Sequence, residues 1–343
     1  MRRRPHVRGL ALMFAVCLAL VACANQGAGG PDRDTGFKGK RITLIIPNQP
    51  GQSMDSYGRM IAPYLNTCLG SSRIDVRNLT GAGGVRGTNQ LWRSKADGLT
   101  IAFASVPSII LSDLAESEGV TFEAKRFTYL GRVSTEPRVL AVGGKSSLGS
   151  VDDLRGLDRP FVFPSQGTDE DFFTMAVLAD SLGFPLKIVT GFQGNGDTAL
   201  AVVSGKADGQ ITALSDAQPM IEAGDKKPIL MVGSERAEGY PDTPTATETV
   251  TGDGKGPVEA IVSMLEMHRS FFAPPDMDET ATTKLREAVA CALAKPELRD
   301  EAKTAKLPLA PLDGGEVQEK VGSVYAENAS LAPILKNALE SIQ

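Results

Sequence analysis

Ile42-Thr43-Leu44-Ile45-Ile46-Pro47-Asn48-Gln49-Pro50-Gly51-Gln52-Ser53-Met54-Asp55 is the stretch from which the rest of the chain can be read. Its first five residues carry no charge and suit a buried strand, and the prolines and glycine that follow end that strand in a turn. From Ser53 the apolar residues Tyr57, Met60, Ile61, Leu65 and Cys68 recur at helical spacing, so a helix opens there. Pro63 falls inside it and is expected to interrupt it. A buried strand running through a tight turn into an amphipathic helix is the repeating half of an α/β fold.

The alternation continues down the chain. Strands are predicted over residues 73–79, 99–104, 127–133, 139–142, 161–163, 186–189, 210–214, 228–232 and 271–273. Helices are predicted over 85–94, 169–182, 197–206, 258–268 and 279–294, with Ser150 and Asp153 capping a short one and a last one running from Val317 to Leu339. About 300 residues are left to fold, more than a single core usually supports. With no internal repeat and no long linker beyond residue 40, the expected architecture is two α/β lobes joined by crossing strands.

Upstream, Arg2, Arg3, Arg4 and Arg8 precede an apolar run from Leu10 to Ala22 that is too short to span a bilayer and has the form of an export signal. The run ends Leu20-Val21-Ala22-Cys23, which predicts cleavage after residue 22 and lipid attachment to Cys23. Residues 23–39 lack apolar periodicity, so they are expected to form a flexible tether to the lipid bilayer, with folding beginning near Lys40. Cleavage removes four arginines and no acid, leaving a mature chain more acidic than the formal −5 of the whole. No basic run survives, and five Tyr and one Trp offer few stacking surfaces, which excludes nucleic acid as a partner. Cys68 and Cys291 remain in the folded part, where an oxidising compartment allows either one disulfide or two buried thiols. His268 is the one histidine of the mature chain and has no CxxC nearby, so no metal or other cofactor is expected.

Four strand-to-helix junctions carry the chemistry. They are Pro47 to Asp55, Thr80 to Gly84, Pro164 to Thr168, and Thr190 to Gly196. Each bears glycine and opens a helix, where free N–H groups and the positive end of the helix dipole suit an anion. Ligands of α/β sheets lie at the carboxyl ends of strands, where such loops sit. One glycine turn alone is ordinary punctuation. Four of them, two in each half, predict a cleft lined by backbone amides of both lobes. The candidate ligand-binding residues are Asn48, Gln49, Gly51, Gln52, Ser53, Met54 and Asp55 in the first loop and Gly81, Ala82, Gly83 and Gly84 in the second. Ser165, Gln166, Gly167 and Thr168 come from the third, and Phe192, Gln193 and Gly194 from the fourth. Ser105 and Asp216, each just past a predicted strand, join them.

Enzymatic readings fail on missing residues. Gly143-Gly144-Lys145-Ser146 lacks the first glycine of a phosphate-binding loop, which would fall at Val139. Gly81-Ala82-Gly83 is followed by Arg86 where a dinucleotide fingerprint needs glycine. Asp55 beside Ser53 could be drawn as a hydrolytic pair, but a nucleophilic serine needs a base, and no Gly-x-Ser-x-Gly elbow is present. His268 lies on the predicted amphipathic stretch, as a surface or partly buried side chain. The chain is expected not to be an enzyme, and an exported hydrolase is the rival from another class.

These residues also resemble a known family. Ile42 to Asp55 is similar to the opening segment of the substrate-binding proteins of tripartite tricarboxylate transporters. Leu79-Thr80-Gly81-Ala82-Gly83-Gly84-Val85-Arg86-Gly87 is similar to their Arg-Pro-Gly-Ala-Gly-Gly-x-x-Gly segment, and Ala96-Asp97-Gly98-Leu99-Thr100 to their Pro-Asp-Gly-Tyr-Thr. Val203 to Gly209, Tyr240 to Thr245, Phe272 to Pro275 and Ala294 to Leu298 follow in the family's order, so the resemblance spans residues 40 to 320. It implies a periplasmic binding protein fold of type II topology, with lobe one at 40–135 plus 262–343 and lobe two at 136–261. It also implies closure on a small carboxylate-type solute, for delivery to membrane permease subunits. A monomer is expected. Cys68 and Cys291 would share lobe one, which permits a disulfide between them.

Departures from the family pattern bear on the solute. Gly51-Gln52 replaces a Gly-Gly pair, and Gln193 stands where the family has lysine. Asp169, Glu170 and Asp171, at the start of a helix expected to face the ligand, are read as serving the helix dipole rather than touching ligand. A tricarboxylate is therefore less expected than a monocarboxylate, a zwitterion or an uncharged polar solute. A ligand-loaded sensor for a signalling receptor would use the same lobe closure and is the alternative to transport.

Overall fold

The computed structural model describes residues 36–327 and 331–342; the export signal, Cys23 and most of the tether lie outside the described residues. β1 (Arg41–Ile46) leads into α1 (Ser53–Leu69), β2 (Arg73–Asn78), α2 (Val85–Trp92), β3 (Thr100–Ser105) and α3 (Val106–Leu114). β1 pairs in parallel with both β2 and β3, because a helix between successive strands returns the chain in the same direction. β4 (Thr128–Ser134) ends this half. The chain then crosses into β5 (Arg138–Gly143), α4 (Val151–Arg155), β6 (Phe161–Pro164), α5 (Glu170–Leu182), β7 (Leu186–Val189) and α6 (Asn195–Val203). The second half continues through β8 (Gly209–Ala213), α7 (Leu214–Glu222), β9 (Lys226–Val232), α8 (Ala246–Thr249) and α9 (Lys255–Leu265). It returns as β10 (Arg269–Ala273), antiparallel between β3 and β4. α10 (Glu279–Ala294), α11 (Pro296–Thr304), β11 (Leu312–Asp313), α12 (Gly314–Glu327) and α13 (Leu331–Glu340) complete it.

The first lobe's sheet has the order β11-β4-β10-β3-β1-β2. In the second, β5 pairs antiparallel with β8 and β9, and β6 pairs in parallel with β7. Two α/β lobes are thus joined where the chain crosses between them, just before β5 and just before β10.

Several elements differ from expectation. α1 runs unbroken through Pro63, which sits on the exposed side, where water can take the carbonyl freed by the missing N–H. α3, α7 and α11 escape the periodicity. α3 is nearly all buried and has no polar face; its start is marked instead by Ser105, whose side chain accepts from Ser108 N, and by Pro107 in the first turn. α7 buries only Ala217, and α11 only Leu298 and Ala302, so neither shows an apolar stripe. The tether ends sooner than residue 39: Phe37 is buried at 2% exposure against Gly98 and Leu285, and its carbonyl accepts from Lys40 N. The final stretch is two helices, α12 and α13, in place of one.

One core fills the first lobe, with Tyr57, Phe103, Phe271 and Leu285 in it. The other crosses the lobe division. Ile110 of α3, Phe172 and Phe173 of α5, Val258 of α9, and Leu331 and Leu335 of α13 belong to a single apolar cluster. α13, which the resemblance puts with lobe one, packs on both α5 and α3. Each large apolar side chain so buried contributes about 1.5–3 kcal/mol, so α5 is held by both halves of the molecule.

Cys68 and Cys291 are bonded to each other, tying α1 to α10 across 223 residues of sequence with Cα atoms 6.1 Å apart. Losing the bridge is expected to cost about 2–4 kcal/mol. A Cys68→Ser, Cys291→Ser double variant should lower the urea midpoint to that of the reduced wild type. Equal midpoints for oxidised and reduced wild type would refute a stabilising bridge.

Candidate functional site

The loops that follow β1 and β2 meet those that follow β6 and β7 around a cavity of about 430 Å³, at the small end of ligand pockets. Of the predicted residues, Asn48, Gln49, Gln52, Ser53, Met54, Gly81, Ala82, Gly83, Gly84 and Ser105 line it from the first lobe. Gln166, Phe192, Gln193 and Asp216 line it from the second. α1 and α2 start at this wall with no side-chain cap. The first-turn N–H groups of α1 are therefore left for a guest or for water, whereas at the start of α2 Val85 N and Arg86 N already donate to Ala82 O and Gly81 O.

Six predicted residues stand behind the lining instead. Asp55 is 3% exposed and accepts from Gly51 N at 2.9 Å, Arg59 Nε at 2.9 Å and Asn78 Nδ2 at 2.8 Å. Burial works to raise its pKa, but the Arg59, Gly51 and Asn78 hydrogen bonds win and hold the carboxyl below its usual range. Asp55 and Gly51 thus brace the first loop from the rear. Ser165 Oγ closes its own turn by donating to Gly167 O, and Thr168 O accepts from Ser112 Oγ. Gly167 and Gly194 are contact points between the lobes. A Cβ on Gly194 would lie 2.5 Å from Gln52 Nε2, and one on Gly83 would lie 2.9 Å from Thr168 O, while Gly167 faces Gly83.

The floor of the cavity is charged, and sequence reasoning missed most of it. Arg138 Nη2 lies 2.7 Å from Glu170 Oε1 and also bonds Asp171. His268 Nε2 is 3.0 Å from the same Glu170 oxygen, and Ser105 Oγ donates to the other. Arg269 pairs with Glu136 at 2.6 Å and stands 4.7 Å above the Tyr57 ring. The available signal was a charged residue opening an otherwise apolar strand, as in Arg138-Val139-Leu140-Ala141-Val142 and Arg269-Ser270-Phe271-Phe272-Ala273. Such a residue sits at the edge of the core, where the chain crosses between lobes.

Two readings need correction. His268 is neither on α9 nor near the surface: it lies beyond the helix end, 6% exposed, in the cavity floor. Asp169 does cap α5, accepting from Phe172 N at 3.0 Å, but Asp169, Glu170 and Asp171 all line the cavity. They do more than serve the helix dipole, because α5 begins at the floor itself. Asn195, in the fourth loop, was also passed over; its Nδ2 reaches Thr212 and Asp216.

The floor's charges are unevenly matched. Burial opposes the Arg138 charge, but Asp171 and Glu170 outweigh it and keep the guanidinium protonated. Burial likewise opposes ionised Glu170, yet Arg138 and His268 hold it well below the carboxylate range. Burial, reinforced by Asp169 and Glu170, pushes Asp171 up to about 8 against the pull of Arg138. Burial also brings Asp169 to about 6, with Glu170 adding to the rise. Burial lowers His268, so its imidazole is neutral at pH 7.

A polar cavity between two lobes, with an uncapped helix start on one side, is the geometry of a solute trap. Residues 58–317 match the model of the tripartite tricarboxylate transporter family receptor. The chain belongs to this receptor family. Protein BugT of Bordetella pertussis is 25% identical to it over 232 residues, covering 66% of this chain and 70% of BugT. Two solved structures share the receptor's fold at 20% identity. The periplasmic binding protein BugD gives a TM-score of 0.69 over 90% of this chain and 100% of its own. MatC from Rhodopseudomonas palustris with bound malate gives 0.68 over 87% and 100%. The receptor therefore has the two-lobed periplasmic binding protein fold, works outside the cytoplasm, and binds solute rather than transforming it; it is not an enzyme.

The floor fixes how the receptor responds to pH. Asp171 and Asp169 keep protons in the folded state at pH values where the unfolded chain has released them. The native state then binds more protons than the unfolded one, so stability falls as pH rises. The melting temperature of the solute-free receptor should drop between about pH 6 and about pH 8, and less steeply in Asp171→Asn. A flat or rising profile in that window would rule the protonated floor out.

Proposed function

We propose that the receptor captures a small carboxylate-type or polar solute between its lobes and delivers it to the permease subunits of a tripartite tricarboxylate transporter. It acts as a monomer held to the membrane as a lipoprotein through Cys23. The observation that carries this reading is the meeting of four glycine-bearing loops, two from each lobe, around one cavity. On the first-lobe wall the amides at the start of α1 take the carboxylate beside the dipole of α2, and Asn48, Gln49, Gln52 and Ser105 orient it. On the second-lobe wall Gln166, Phe192 and Gln193 close over the guest. The fold relative MatC holds malate, a small carboxylate.

Residues 40–135 plus 262–343 act as one lobe and 136–261 as the other. Gln52 Nε2 reaches Gln166 Oε1 from one lobe to the other at 3.5 Å, a contact that breaks when the lobes part. A guest that touches both lobes favours the closed state by the free energy of contacts available only there.

Carboxylates that bind will raise the melting temperature, because a ligand of the folded form alone stabilises it by mass action, by about 2.7 kcal/mol at a hundredfold excess over Kd. A flat thermal-shift response across a broad acid library would count against the reading. Separately, a Cys23→Ser variant should leave the membrane pellet for the soluble fraction; if it still sediments with lipid, the anchor is elsewhere.

A further inference from the structure

The two walls of the cavity differ in charge, and the difference identifies the solute more narrowly. On the first-lobe wall α1 presents an uncapped N-terminus, and beside it α2, whose Val85 and Arg86 N–H groups bond Ala82 O and Gly81 O, adds the positive end of its dipole with no acidic residue in its first turn. The one acid in the first turn of α1, Asp55, is turned away onto Gly51, Arg59 and Asn78. This wall offers donors and a positive potential.

The floor and the second-lobe wall are acidic. Asp169, Glu170 and Asp171 reach the cavity from α5, and Asp216 reaches it from α7. Their cations are few. Arg138 serves Glu170 and Asp171 together, while Arg269 is taken by Glu136. His268 is neutral and donates to Glu170. Among the described residues no lysine or arginine pairs with Asp169 or Asp216; Asp169 caps its own helix, and Asp216 accepts only an amide, from Asn195 at 3.3 Å. A dicarboxylate spanning this cavity would place its second charge against four acidic side chains whose one shared guanidinium, Arg138, is already held by Glu170 and Asp171. Like charges at such range are costly, and a buried cation in the same place gains what they lose.

We infer that the solute is a zwitterion: a carboxylate on the α1 and α2 side, and a protonated amine on the side of Asp169, Asp171 and Asp216. This rests on the reading of the cavity as a carboxylate-capturing site, and adds the second pole.

Calorimetric titration of the full mature receptor with α,ω-dicarboxylates, ω-amino acids of matched length, and the corresponding monocarboxylates and alkylamines tests both. The ω-amino acids should bind about tenfold or more tighter than their dicarboxylate partners. Their affinity should rise from pH 6 to pH 8, as Asp169 and Asp171 lose their protons to solvent and become carboxylates that pair with the ammonium. Asp216→Asn, at an exposed position that leaves the fold intact, should erode the preference for amino acids over monocarboxylates. Tighter dicarboxylates, or affinity that falls with pH, would overturn the zwitterion and leave carboxylate capture standing, with a protonated Asp171 as donor. An unchanged preference in Asp216→Asn would also overturn it. Alkylamines binding as well as amino acids, or no binding by any member, would overturn the carboxylate reading itself.

Discussion

Moving a carboxylate out of water costs several kcal/mol even after the protein relaxes, and Glu170, 3% exposed, is surrounded by the groups that offset that cost. Arg138 approaches from the second lobe, His268 from the return crossing and Ser105 from the end of β3. Its own N–H donates to Ser108 Oγ at 3.2 Å. With any one of these partners missing, a buried charge would be stranded, so the four segments are constrained to arrive together. The start of α5 is fixed by that convergence. Two residues further on, Phe172 and Phe173 enter the apolar cluster shared with α3, α9 and α13. The polar floor and the common core thus share the first turn of one helix, and the floor's rigidity comes from the packing around α5.

The lips of the cleft obey a different constraint, which is distance. Gly83, at φ +62°, and Gly194, at φ +144°, each occupy backbone conformations that side-chain-bearing residues rarely adopt. Each also lies where a single added carbon would strike the facing lobe. At Gly83 glycine is required twice over, by torsion and by approach to the Thr168 backbone; at Gly194 torsion alone requires it, because the facing Gln52 side chain can move. The close approach leaves a small cleft, in which a charge on the guest interacts with protein groups more strongly than it would in bulk water.

The parts legible in the sequence were those with a local cause. The Ile42–Ile46 strand, the helix from Ser53 and the glycine loops all announce themselves through neighbours within a few residues, and the loops did converge as their composition suggested. Asp55 looked like a site residue because it sits in the right loop, but its partners Arg59 and Asn78 lie on α1 and β2, and only the folded chain shows it turned away. Arg138, His268 and Arg269 were invisible as a group because they are far apart in sequence and meet only where the chain crosses between lobes. α3 was overlooked because burial on all sides erases the periodicity that marks a half-exposed helix.

The Cys68–Cys291 bond has a topological effect. Every residue from β5 to α9 lies between its two cysteines, so the whole second lobe is a closed covalent ring projecting from the first. A protease that cuts one surface turn of that lobe, between α6 and β8 for example, would open the ring without producing two molecules. The severed ends would remain tethered at α1 and α10, and the clipped protein would come apart only when a reductant reached the bridge.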